Sequence, residues 1–245
     1  SLVQGITEFL PISSAAHLVL ITKYYSFINQ DLLIDICLHL GSLMAIIFYF
    51  RNDLINFINN RNFLIKILIG TIPIIPVGYV LYETGLIQQL RNLEVVGWMS
   101  LLFGILLYLS DKRKIKSTIE NNFTNKSAII FGLFQVLSLI PGVSRSGIAI
   151  TAARLLNYKR IDAAKISFLV SIPILGAVSI FGLKNMILSD DINFTKLNFI
   201  SIFVSFVFSY ITIKYFLRYI NRFSLNIFVY YRILLGFVLL MLMYL

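Results

Sequence analysis

The sequence predicts an all-α polytopic membrane protein: an inverted-topology repeat of six transmembrane helices plus two re-entrant helix–loop–helix hairpins. Three observations predict it. The 245 residues are 58% hydrophobic and only 13% charged, with a mean hydropathy of +0.86. Charged residues make up roughly 25% of an ordinary soluble domain, and one core cannot cover so much apolar surface. The apolar residues fall in runs of roughly 17–21, enough to cross ~30 Å of hydrocarbon as helices. Lys and Arg crowd the loops of one side.

Six runs read as spans: 34–50, 63–82, 95–109, 163–183, 199–217 and 227–244. The third is short and is expected to begin earlier or to tilt little. Two further apolar stretches, 1–22 and 127–157, are interrupted, the first at Pro11-Ile12-Ser13-Ser14 and the second at Pro141-Gly142-Val143-Ser144-Arg145-Ser146-Gly147. Proline and glycine end helices locally. Non-helical backbone at membrane depth survives only when it is buried in protein or lines a wet cavity. Both stretches are therefore expected to dip in and return to the same side.

Charge supports that topology. With two hairpins and six spans, loops 51–62, 110–126, 154–165 and 214–226 share one side and carry 14 Lys and Arg, against 4 in loops 23–33, 84–94 and 184–198. The positive-inside rule puts the first set in the cytoplasm and both termini outside. Residues 1–109 then form one hairpin plus three spans, and residues 127–245 repeat the order. Three is odd, so the second copy is inverted. The hairpins echo each other as Gly5-Ile-Thr-Glu8 before Pro11 and Gly132-Leu-Phe-Gln135 before Pro141. Inverted repeats with broken helices place a polar site near the midplane. Residues 110–126 are expected to be a flexible cytoplasmic linker without catalytic interest.

The net charge of +10 does not indicate nucleic acid here. Basic loops set orientation and touch anionic lipid, so membrane lipids are the expected partners. A single cysteine, Cys37, excludes an intramolecular disulfide and reads as a packing residue. The chain begins at Ser1 without Met, and motif residues follow at once, so the first helix is expected to extend upstream. No cleavable signal pattern is visible.

Few ionisable residues lie deep: Glu8, His17, Arg145 and His39. Charges at depth are costly and usually functional. Gln4 and Glu8 are four apart and share a helix face. Ser13 and Ser14 sit at the first break, able to cap the helix that follows, and His17 lies about one turn beyond. A carboxylate, hydroxyls and an imidazole thus converge on one tip, a set suited to a metal ligand, a nucleophile and an acid–base group. A purely structural reading has the serines capping and Glu8 paired with Arg145, and leaves His17 unexplained. At the second break, Gly142 and Gly147 allow close backbone approach. Ser144 and Ser146 offer hydroxyls, Arg145 a planar fork for phosphate oxygens, and the following helix its N-terminal N–H groups. Together these form a phosphate cradle. His39 reads as a helix histidine satisfied by a neighbour. Asp31, Asp35, Glu83 and Glu94 read as solvated span ends.

At these residues the chain resembles the undecaprenyl-diphosphatase family associated with bacitracin resistance. The resemblance covers nearly the whole chain and rests on Q-G-I-T-E-F-L-P-I-S-S-A-A-H at 4–17, H-L-G-S-L at 39–43, Y-F-R at 49–51, P-G-V-S-R-S-G at 141–147, F-L-V-S-I-P at 168–173 and Y-R-I-L-L-G at 231–236. It implies hydrolysis of a long-chain prenyl pyrophosphate at the outer leaflet of the bacterial plasma membrane, assisted by Mg²⁺ or Ca²⁺. By motif match, Glu8, Ser14, His17, Ser144 and Arg145 take the family's active-site positions. Gln4 falls where many members carry Glu and others Gln, leaving Glu8 as the clear carboxylate for a metal on that hairpin. The nucleophile is Ser14, His17 or an activated water. The favoured scheme has Ser14 attacking with His17 as acid–base partner, and Arg145, Ser13, Gly142, Ser144, Ser146 and Gly147 holding the diphosphate. A homodimer is compatible with this reading. The competing reading is a lipid-carrier flippase, since inverted repeats recur in transporters; release of phosphate separates the two.

Overall fold

The computed structural model describes residues 1–24, 32–59, 61–188 and 196–244, and these are helical throughout apart from turns and one isolated parallel bridge between Ser117 and Tyr158. In the first half of the chain the helices are α1 (Leu2–Thr7), α2 (Ser14–Tyr24), α3 (Leu32–Tyr49), α4 (Arg51–Asn59), α5 (Arg61–Thr71), α6 (Ile74–Glu83), α7 (Leu86–Leu90) and α8 (Leu93–Asp111). The second half holds α9 (Ile119–Asn122), α10 (Asn125–Val136), α11 (Arg145–Leu155), α12 (Arg160–Leu188), α13 (Lys196–Ile220) and α14 (Asn226–Tyr244).

Among the described residues, five stretches are long and apolar enough to cross a membrane: Arg61–Glu83, Leu93–Asp111, Arg160–Lys184, Lys196–Ile220 and Asn226–Tyr244. They coincide with five of the six expected spans. The remaining one falls on α3, whose apolar stretch Leu33–Tyr49 is shorter. The span expected at 95–109 does begin earlier, because Asn92 caps it by accepting from the Val95 N–H at 2.8 Å. The span at 63–82 is two helices, interrupted at Pro73, which cannot donate to the helical ladder. Large apolar side chains cover the outside; Ile180 is 71% exposed and Phe203 66%. Such a surface is stable in lipid and prone to associate in water. The chain is a multi-pass membrane protein.

Much of the remaining fold serves to fix two broken helices. Helices α1 and α2 flank the first break. Helix α10, a 3₁₀ turn at Leu137–Leu139, and α11 flank the second. Each helix after the break starts on a serine in the left-handed region: Ser13 at φ 68° and Ser144 at φ 69°. That conformation is uncommon for residues other than glycine, and the serine hydroxyls offset its cost by capping. Ser13 Oγ accepts from the Ala16 N–H at 3.4 Å, and Ser144 Oγ from the Gly147 N–H at 3.2 Å.

Two seams hold the frame rigid. Helices α3 and α13 meet through small residues, as helices in lipid do. Ser42 Oγ lies 3.0 Å from Ser209 Oγ and 3.2 Å from Ser205 Oγ, while Ser205 Oγ donates to the Leu38 carbonyl at 2.7 Å. A Cβ at Gly41 would collide with the Ile202 carbonyl of α13. At the far end of α11, Asp111 gathers three segments. Arg160 donates to its carboxylate through Nε at 2.8 Å and Nη2 at 2.9 Å, Arg154 approaches at 3.3 Å, and the Leu225 N–H donates at 3.2 Å. Arg154 also donates to the carbonyls of Asp111 and Arg113, both at 2.8 Å, and to that of Tyr158. The segment 110–126, expected as a flexible linker, is therefore pinned to α11 and α12. Its backbone carbonyls had no partner visible in sequence, and a buried arginine supplies one. Expected loop 51–62 is likewise largely helical as α4 and the start of α5, while much of loops 23–33 and 184–198 lies outside the described residues.

Candidate active site

The two helix breaks face each other across a cavity of about 330 Å³. From the first break it is lined by Gln4, Glu8, Ser13 and Ser14, and from the second by Gly142, Ser144 and Arg145. Seven of the residues predicted from sequence thus share one wall or its opposite. The link between the walls is direct: Arg145 Nη2 lies 2.8 Å from Glu8 Oε1, with the two side chains 14% and 7% exposed. The breaks are also stapled together, because Ser146 Oγ donates to the Leu10 carbonyl at 2.7 Å.

Glu8 is held from three directions. Besides Arg145, Gln4 Nε2 donates to its Oε2 at 2.7 Å and Ser14 Oγ donates to the same atom at 3.3 Å. An amide at position 4 therefore serves as a hydrogen-bond donor to the carboxylate, a role an ionised glutamate there lacks. The amide's other end, Gln4 Oε1, is buried and has no hydrogen-bond partner among the described residues. Helices α2 and α11 both begin at the cavity, each presenting first-turn N–H groups and the positive end of its dipole. A partly buried arginine, serine hydroxyls and paired helix N-termini are the groups that bind anions in proteins, and here they border one cavity.

Three predicted residues stand apart from the cavity lining. Ser146 and Gly147 serve the frame, one as the staple and the other as the N–H that Ser144 caps. His17 turns away: its Nδ1 lies 2.8 Å from the Ser13 carbonyl and its Nε2 2.5 Å from Tyr231 Oη, with the two rings stacked at 5.7 Å and 5°. A carbonyl only accepts, so Nδ1 carries the proton, and in the neutral ring Nε2 accepts from the tyrosine hydroxyl.

The bacitracin resistance protein BacA family model matches residues 1–238. The chain belongs to that family. It is 51% identical over 246 residues to the undecaprenyl-diphosphatase of Pelagibacter ubique (strain HTCC1062), covering 100% of this chain and 95% of that protein. It is 38% identical over 259 residues to the protein of that name from Dinoroseobacter shibae (100% and 96% covered). Against the one from Campylobacter curvus it is 40% identical over 252 residues (96% and 94% covered).

This BacA-family cavity also contains residues that the sequence left without a role. Asp35, His39 and Arg91 line it. From sequence, Asp35 is expected to be a solvated span end and His39 a helix histidine satisfied by a neighbour. Arg232 is fully buried, and its Nη2 donates to the Gly142 carbonyl at 2.9 Å, fixing the second break from behind. The available signal for Arg232 was an arginine within an apolar run, which is expensive unless it serves something. No such signal existed for Arg91, which sits between α7 and α8.

Proposed function

We propose that this chain hydrolyses undecaprenyl pyrophosphate to undecaprenyl phosphate and inorganic phosphate, recycling the lipid carrier of cell-wall synthesis and so conferring bacitracin resistance. The relatives' shared name supplies the substrate. The observation that carries the chemistry is the Glu8–Arg145 pair, made across two helix breaks at a polar cavity. Its separation of 2.8 Å leaves both groups within reach of one diphosphate.

Arg145, the Ser144 hydroxyl and the α11 N-terminus bind the diphosphate and take up charge that grows on its oxygens in the transition state. Ser14 is the attacking group. Its Oγ donates to Glu8 at 3.3 Å, so the carboxylate is placed to accept its proton. Oγ bonds to the terminal phosphorus as the bridging P–O bond breaks, and the lipid phosphate leaves with the bridging oxygen. Water then hydrolyses the phosphoserine, releasing phosphate and restoring Ser14. Glu8 replaces His17 as the acid–base partner in this scheme, because His17 faces Tyr231. The prenyl tail lies in a groove between spans.

A hard divalent cation, Mg²⁺ or Ca²⁺, fits the donor set. Among the described residues no three His, Cys, Asp or Glu side chains gather into a metal site. Glu8 and the orphaned Gln4 Oε1 offer two oxygens, and such cations complete their shell with substrate phosphates and water. Glu8 and Gln4 would hold such a cation, and it would supply neutralisation of the diphosphate charge.

The topology is six spans and two re-entrant hairpins in inverted repeat, in the bacterial plasma membrane with both termini outside. Partner exchange supports it. Helix α1 packs on α13 and α10 on α5; α3 packs on α13 and α12 on α5; α8 pairs with α14, its counterpart. The echoed glycines match as well. A Cβ at Gly5 would meet Phe208 Cβ at 2.9 Å, and one at Gly132 would meet the Gly70 carbonyl at 2.9 Å. Each is a close approach of a hairpin helix to the matching span.

The deciding experiment measures phosphate release from a long-chain prenyl pyrophosphate by the purified protein, with and without chelator. Turnover that stops on chelation and resumes with Mg²⁺ or Ca²⁺ is expected, with a phosphoryl group trapped on Ser14. Absence of release under all conditions removes the phosphatase and leaves the flippase.

A further inference from the structure

We infer that His39 is a ligand of the pyrophosphate group, donating a ring N–H to one of its oxygens. The inference rests on the phosphatase reading above and extends it to a residue outside both helix breaks. His39 lines the same cavity as Glu8, Ser14 and Arg145. Its Nδ1 is buried without a hydrogen-bond partner among the described residues. Buried polar atoms in native proteins are almost always partnered, so a ring that lines this cavity and keeps one nitrogen without a protein partner marks a place where a ligand completes the bonding.

The wall that carries it is fixed. The Leu38 carbonyl, one residue before His39, accepts from Ser205 at 2.7 Å, and Ser42 is bonded to Ser205 and Ser209. Gly41 lets α3 press directly on α13. A ring on so tightly seated a turn stays where it is aimed, as a binding group must. The other histidine of the chain is engaged elsewhere. Both nitrogens of His17 have partners, in Ser13 and Tyr231, and the ring is absent from the cavity lining. Of the two histidines, His39 is the one placed to meet substrate.

The test uses ¹⁵N-histidine-labelled protein of this sequence in detergent, where two rings give two sets of signals, assigned with the His17→Ala variant. Divalent cation is added first, then inorganic pyrophosphate. The His39 signals are expected to move on pyrophosphate and not on cation alone. In parallel, His39→Ala is expected to lower kcat/KM for the lipid pyrophosphate by about 10²-fold at unchanged Tm, and His39→Gln, which keeps a donor, to recover most of it. Signals that stay still with pyrophosphate, or move with cation alone, overturn the inference, as does full kcat/KM in His39→Ala. If the unmodified protein releases no phosphate, it is the phosphatase reading that has failed; if it does so and His39 is silent, only this inference has.

Discussion

Helix α11 carries an arginine at each end, and the two sit in opposite kinds of surroundings. Arg154, at the C-terminal end, is 2% exposed, donates to three backbone carbonyls and approaches the Asp111 carboxylate, which Arg160 shares. Arg145, at the N-terminal end, donates among the described residues to Glu8 alone and lines a cavity. In both, an arginine meets a buried carboxylate. The difference lies in the donors left over. A guanidinium offers five N–H groups. Where the protein itself occupies them, the pair locks structure; where they are left over beside a cavity, the proposed function has the pair receive an anion. Burial and pairing alone do not separate a functional charge from a structural one.

That contrast predicts opposite outcomes for similar substitutions. The largest effect is expected for Arg145→Ala: phosphate release falls by about 10³-fold or more, while thermal unfolding in detergent stays close to that of the parent, because the cavity can hydrate Glu8. Unfolding of Arg145→Ala well below the parent temperature would place this arginine with Arg154 as a structural element. Next comes Asp111→Ala, which strands two guanidinium groups and is expected to cost roughly 3–5 kcal/mol of stability, with kcat per folded molecule within a few-fold of normal. The same thermal scan reads the loss, and a collapse of kcat in protein that remains folded would contradict the division of roles. Smallest is Gln4→Ala, which removes a donor from Glu8 and is expected to reduce kcat about 10-fold. Initial rates at saturating lipid pyrophosphate check it, and a neutral result would mean that Arg145 and Ser14 orient Glu8 unaided.

The same contrast explains which side chains sequence alone could place. Glu8, Ser14 and Arg145 were legible because each is a polar group forced into an apolar stretch next to a proline break, where cost implies purpose. The aim of His17 was not legible. It depends on Tyr231, 214 positions away, whose hydroxyl holds the imidazole outside the cavity. Asp35 reads as an ordinary span end and Arg91 as the one basic residue of loop 84–94, since nothing local shows that either borders a polar cavity.

The sequence by itself determined the solvent, the breaks and the chemistry on offer. Hydropathy requires lipid around the chain, proline and glycine interrupt helices wherever they fall, and a carboxylate, hydroxyls and a guanidinium at depth need one another. Those are local properties of composition and spacing. Only the tertiary structure decided which groups meet: Glu8 with Arg145, Arg154 with Asp111, His17 with Tyr231, His39 with the cavity. Those pairings are set by how helices distant in sequence pack, and a side chain's direction at such a contact is fixed by its neighbour rather than by its own place in the chain.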